Sequence, residues 1–160
     1  MKRLLLAAAA IFAATPAQAY LSWYDVELVE ESIERETGTP VSWTRNGGSC
    51  APRNNGGVIL GYFTPSANTI TMCRNSRIRE STIMNTLMHE GWHSAQDRCT
   101  KRPYFSDREI LRHLLPSDKR ELRKFYSRKQ YRAEAEARAV ANRYEDDPYG
   151  YIDLIEEVCA

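Results

Sequence analysis

An apolar leader followed by four cysteines is the feature that most limits what this chain can become. Met1, Lys2 and Arg3 form a short positive start, and residues 4–14 are an unbroken apolar run. Thr15-Pro16 interrupts the run, and Ala17-Gln18-Ala19 has the small-x-small pattern of a cleavage site. Residues 1–19 therefore read as a secretory signal peptide, with cleavage between Ala19 and Tyr20. The run is too short to span a bilayer, which needs about 20 apolar residues, so no membrane anchor is expected after cleavage. What is left, residues 20–160, is the length of one domain. Loss of Lys2 and Arg3 takes the formal charge from +1 to −1. That balance argues against a generic nucleic-acid partner, whose phosphates demand a basic excess. A secreted or periplasmic protein is expected.

Export decides how the cysteines are read. Cys50, Cys73, Cys99 and Cys159 are an even set in an oxidising compartment, which means two disulfides. No C-x-x-C pair points to a thiolate zinc site. Of the three pairings, Cys50 with Cys73 and Cys99 with Cys159 keeps each bridge within one substructure and is preferred.

Apolar spacing sets the expected elements. Residues 21–36 carry Trp23, Val26, Leu28, Val29 and Ile33 on a helical period, stopped by Gly38 and Pro40. Residues 41–44 have strand chemistry, 46–57 are a glycine- and asparagine-rich loop, and 57–63 with 69–73 form a β-hairpin around 64–68. Beyond it the chain reads as helical. A helix capped by Ser81 or Thr82 runs to about Arg98, and a short one spans 107–115. A long stretch from Ser117 to about Glu145 is broken near Ser127. Pro148 and Gly150 end it, and a last helix covers 151–159. The expected fold class is α+β, mainly helical, with a short antiparallel sheet before the central helix and a helical C-terminal part.

His89-Glu90-Gly91-Trp92-His93 lies inside the Ser81 helix. Residues four apart share one helical face, so both imidazoles reach one metal ion. Glu90, about 100° round the axis, sits where a base takes a proton from activated water without ligating the metal itself. Thr82, Asn85, Thr86, Trp92 and Gln96 give this face a mixed polar and aromatic character, unlike a plain core stripe. Two histidines need a third ligand. The extended motif with a third histidine is excluded, because Gln96 and Cys99 occupy its glycine and histidine positions. His113 is the one other histidine. Residues 131–141 offer two carboxylates on an alanine-rich helix: Glu134 falls at the edge of the apolar face built on Ala137 and Ala141, and Glu136 falls beyond its far edge, toward solvent beside Arg132 and Arg143. Glu134 is the better-placed ligand, with Glu136 and His113 as alternatives.

At this point the chain resembles zincin metallopeptidases of the gluzincin type, in which H-E-x-x-H precedes a helix carrying a glutamate ligand. Glu134-Ala135-Glu136-Ala137-Arg138-Ala139-Val140-Ala141 is similar to the E-x-E-A-(D/N)-x-F-A pattern of the CAAX-prenyl-peptidase-like family and of the ImmA/IrrE group. There the first glutamate is the ligand, which matches Glu134. Arg138 departs from the pattern, standing where Asp or Asn orients a ligand histidine. The combination also looks like small exported bacterial proteins. The resemblance covers residues 82–99 and 131–141. It implies a small zincin-like domain over 20–160, one Zn²⁺ held by His89, His93 and Glu134, and Glu90 as general base in hydrolysis of a peptide or protein substrate. It leaves the substrate and the oligomeric state open.

An oxyanion donor is needed as well, and His113, Tyr104, Tyr126 and Tyr131 are candidates. In zincins an edge strand beside the active helix often pairs with extended substrate, a role open to residues 61–63 or 70–72. The competing reading is an exported metal- or protein-binding module without turnover. Arg138 favours that reading, and the intact Glu90 opposes it.

Overall fold

The computed structural model describes residues 21–45, 50, 59–74, 78–100 and 103–160. The expected leader with its cleavage site, and all of the 46–57 loop except Cys50, lie outside them. Helix α1 (Trp23–Thr37) begins at Ser22, whose hydroxyl accepts from the Asp25 N–H while the Asp25 carboxylate accepts from the Ser22 N–H at 2.8 Å. This reciprocal cap satisfies two backbone donors that the first turn leaves unpaired. Val26, Val29 and Ile33 form its buried stripe.

Three strands follow: β1 (Val41–Thr44), β2 (Gly61–Thr64) and β3 (Thr69–Cys73). A single 3₁₀ turn, Pro65–Ala67, closes the expected hairpin, which pairs Phe63 with Ile70 and Gly61 with Met72 in antiparallel register. On the other flank of β3, β1 joins in parallel, with Trp43 opposite Met72. Among the described residues the order β1-β3-β2 leaves β2 as an edge. Ile70 and Met72 point into the core, as period-two alternation requires.

Helix α2 (Glu80–Arg98) is central. It starts one turn's edge earlier than the Ser81 or Thr82 cap expected: Arg79 is the capping position, and Glu80 sits in the first turn, where the helix dipole favours an acid. Ile83, Met84, Leu87, Met88, Trp92 and Ala95 are fully buried along one side. They meet α1, the sheet, and two later helices, α5 (Arg128–Arg143) and α6 (Pro148–Cys159). Each such side chain contributes roughly 1.5–3 kcal/mol by leaving water, so α2 is held as a rigid rod. Two glycines permit close approach here. A Cβ on Gly91 would stand 2.4 Å from Ile33 Cδ1 and 2.6 Å from Tyr151 Oη, and one on Gly61 would stand 2.9 Å from Thr86 Cγ2. The first lets α1 and α6 press on α2. The second brings edge strand β2 against the turn that precedes His89.

Between them come α3 (Asp107–His113), capped reciprocally by Ser106 and Glu109, and α4 (Pro116–Phe125). The break expected near Ser127 falls at Tyr126 and Ser127, both extended, and the Gln130 side chain reaches back to Ser127. Pro148 and Gly150, expected to end the preceding helix, instead form the first turn of α6, with Asp147 as its cap. A second apolar cluster of Ile110, Leu114, Leu122, Ala135 and Ala139 joins α3 and α4 to the far side of α5. Both preferred disulfides are present: Cys50–Cys73, with Cα atoms 5.5 Å apart, and Cys99–Cys159, at 4.8 Å. No helix among the described residues is long and apolar enough to cross a membrane.

Candidate metal centre

His89, Glu90 and His93 face away from the buried stripe of α2. Each offers a ligand atom within 4.8 Å of the others, and the group can hold a metal ion. The two imidazoles stand edge to face. Across from them α5 presents Glu134, 8% exposed. Its carboxylate spans the pair: Oε1 lies 3.3 Å from His89 Nε2 and Oε2 lies 3.1 Å from His93 Nε2. Burial opposes charge on Glu134, but hydrogen bonds and proximity to the two histidines outweigh it and hold the carboxyl far below the usual range. Burial likewise pulls His93 down. Its bond to Glu134, with the charges of Glu90 and Glu134, wins and raises it.

Sequence reasoning passed over the residue that fixes His93. Gln96, one turn on, donates its amide N–H to the Ala133 carbonyl at 3.1 Å and to Glu136 Oε2 at 2.8 Å. Its oxygen is thereby assigned, and it accepts from His93 Nδ1 at 2.9 Å. The proton of a neutral His93 therefore sits on Nδ1, leaving the Nε2 lone pair aimed at Glu134. The available signal was the i, i+3 spacing of Gln96 from His93, which places both on one face.

Glu136 corrects an expectation. It does not meet solvent: it is 1% exposed and accepts from Gln96 and from the Phe105 N–H at 2.7 Å. The reason is that α5 is covered on two sides, by α2 on one and by α3 and its entry segment on the other, so its apolar face is wider than one stripe. His113 is not brought to the pair. It lines a small cavity with Phe105, Glu109, Ala139, Val140 and Arg143, and its carbonyl accepts from Asn142.

Arg138 sits one turn beyond Glu134 and touches its Oε1 at 3.4 Å. It also pairs with Glu121 at 2.9 Å and Asp118 at 3.3 Å, both on α4. Burial disfavours its charge, but these acids and Tyr126 keep it firmly protonated. Gln96, and not position 138, contacts His93 Nδ1, and Arg138 braces Glu134.

A cleft of about 420 Å³ opens beside the centre, lined among others by Phe63, Pro65, His93, Tyr126 and Glu134. Of the four oxyanion candidates, Tyr126 is the one lining it. Tyr104 bonds Glu157, and Tyr131 packs on the second apolar cluster. Burial and the nearby Glu134 charge raise the Tyr126 phenol, which stays protonated as a donor. On the strand side, Phe63 donates its backbone N–H to Glu90 Oε2 at 2.9 Å, so Glu90 is held by the free edge of β2. Residues 70–72 lie in the central strand, paired on both flanks, and cannot take up another strand.

No known family matches the chain, and comparison with curated proteins and with solved structures finds no similar sequence or fold.

Proposed function

We propose that this chain is an exported zinc-dependent peptidase, with His89, His93 and Glu134 holding one Zn²⁺ and Glu90 acting as general base. The observation that carries the reading is the Glu134 carboxylate spanning both Nε2 atoms. Ligands about 2.0–2.2 Å from a tetrahedral zinc stand roughly 3.3–3.5 Å from one another, close to the 3.3 and 3.1 Å found here. Two imidazoles and a carboxylate are also the donor set of catalytic zinc sites, which keep a fourth position open. Bound there, zinc supplies Lewis-acid activation of water and of a peptide carbonyl.

The remaining work belongs to the chain. Glu90, held beside the histidines by the Phe63 N–H, takes a proton from the attacking water and passes it to the leaving amine. Tyr126 donates to the oxygen on which charge develops. The outer edge of β2, through Gly61 and the Phe63 carbonyl, offers backbone groups to an extended substrate, while the Phe63 N–H stays with Glu90. The two disulfides suit an oxidising, extracytoplasmic setting.

One observation favours a second reading, a binding module without turnover: a cationic Arg138 against Glu134 Oε1 draws charge from that carboxylate and leaves it a weaker ligand for a catalytic metal. Elemental analysis after zinc reconstitution, paired with a peptidase screen, separates the two. About one zinc per chain is expected, lost in Glu134→Ala. Glu90→Gln is expected to keep zinc and abolish hydrolysis. Well below one equivalent of metal overturns the centre. A zinc-loaded wild type that cleaves no peptide favours the binding module.

A further inference from the structure

A second recess of about 450 Å³ is lined by Arg123, Tyr126, Arg128 and Tyr131. Tyr126 is the wall common to both spaces. Arg123 closes α4 and Arg128 opens α5, so the extended step at Tyr126 and Ser127 sets the two guanidinium groups on either side of one opening. Both are exposed, and neither makes an ion pair among the described residues. The neighbouring acids are already engaged: Asp118 and Glu121 turn inward to Arg138, Asp107 pairs with Arg132, and Glu109 caps α3. The start of α5 adds the positive end of its dipole. The result is a basic, aromatic-walled recess one tyrosine away from Glu134.

We propose that this recess selects the substrate by an acidic side chain, seated between Arg123 and Arg128 while the backbone lies across the metal centre. The inference rests on the peptidase reading for its purpose, and on the recess itself for its chemistry. Guanidinium groups bind carboxylates through paired N–H bonds, and the tyrosine rings flank that contact. The width of one tyrosine side chain corresponds to roughly two or three residues of extended peptide at about 3.3 Å each. The acidic residue therefore belongs near, and not at, the scissile bond.

The test uses protein expressed with its leader, recovered after export and loaded with zinc. Peptides found in a degenerate-library digest are resynthesised in pairs, with Glu or Gln two or three residues from the cut. Wild type is expected to favour the Glu member roughly five- to tenfold in kcat/KM, the scale of two partly screened arginine–carboxylate pairs, and less at high salt. Arg123→Ala with Arg128→Ala should equalise the pair, and the double change to Glu should turn preference toward Lys. In parallel, binding of labelled Glu and Gln peptides of fixed random-coil sequence, chosen without reference to the digest, to zinc-loaded Glu90→Gln protein is read by fluorescence anisotropy. Arginine-dependent Glu preference in binding with no hydrolysis by wild type supports the recess and overturns the peptidase reading. Hydrolysis with no acidic preference, or a preference that the arginine changes leave intact, overturns the recess and keeps the peptidase. Absence of both hydrolysis and preference overturns both. Vesicles of equal parts phosphatidylglycerol and phosphatidylcholine form the last arm. Arginine-dependent vesicle binding without peptide discrimination assigns the basic face to lipid and overturns the proposal.

Discussion

One amide decides the state of His93. Because the N–H groups of Gln96 are taken by Ala133 and Glu136, its oxygen must face Nδ1. Gln96→Leu is therefore expected to lower zinc affinity by about 10- to 100-fold, the usual effect of removing a group that orients a ligand. Titration against a competing chelator checks it, and an unchanged constant would remove Gln96 from the centre. The same residues set opposite pH trends with and without metal. In metal-free protein the raised His93 contributes stability in full below its ordinary value of about 6.5, and loses it as pH rises through the raised value. The lowered Glu134 contributes above about pH 4.3 and loses its part as pH falls further. Chelated protein should thus melt highest between about pH 4.5 and 6.5 and less well at 8, whereas zinc, which needs a neutral imidazole, should stabilise increasingly up to pH 8. Thermal scans at both conditions measure this, and parallel trends would contradict the pairing. Glu134 was legible in the sequence because its angle to Ala137 is fixed by helix geometry. Glu136 was not, since a helical wheel carries no sign of a second covering layer.

At the level of elements, the glycine inside the metal motif is a packing residue. Alanine is the better helix former by about 0.5–1 kcal/mol, so Gly91→Ala on an exposed helix would stabilise. Here its Cβ would meet Ile33 and Tyr151 at under 3 Å, and Tyr151 is anchored by its bond to the Met88 carbonyl. Overpacking of this kind costs about 1–3 kcal/mol and outweighs the propensity gain. Gly91→Ala should unfold at lower urea, with its zinc equivalent retained wherever it is folded. A higher midpoint would mean that α1 and α6 give way easily. Most elements were readable from spacing. The caps were less readable: α2 starts after Arg79 and not at Ser81 or Thr82, the Ser106–Glu109 and Ser127–Gln130 caps emerge only in the structure, and the role of Pro148 was ambiguous, because proline both follows one helix and starts the next. The partners of β1 were not readable: alternation tells which face of a strand is buried, not which strand lies beside it.

On the scale of the whole molecule, the second bridge matters most. Cys99 follows α2 directly and Cys159 ends α6, 60 residues apart in sequence. Cys99→Ser with Cys159→Ser should cost about 2–5 kcal/mol, read from chemical denaturation, with weaker zinc retention near the midpoint. Equal stability would show that the apolar contacts of α6 suffice alone. The pairing was inferable from the cysteine positions once they were read as oxidised, and the charge separation was not, because a balanced total hides an acidic α1 and a basic α4–α5 junction. The two bridges also bracket the helix that carries His89 and His93, Cys73 shortly before it and Cys99 at its end. A newly made chain in a reducing cytosol lacks both clamps, and its ligands meet under full restraint only once the thiols have been oxidised. Oxidation is thereby a step in building the site: His89, His93 and Glu134 are held in register most firmly where the thiols are paired, in an oxidising compartment.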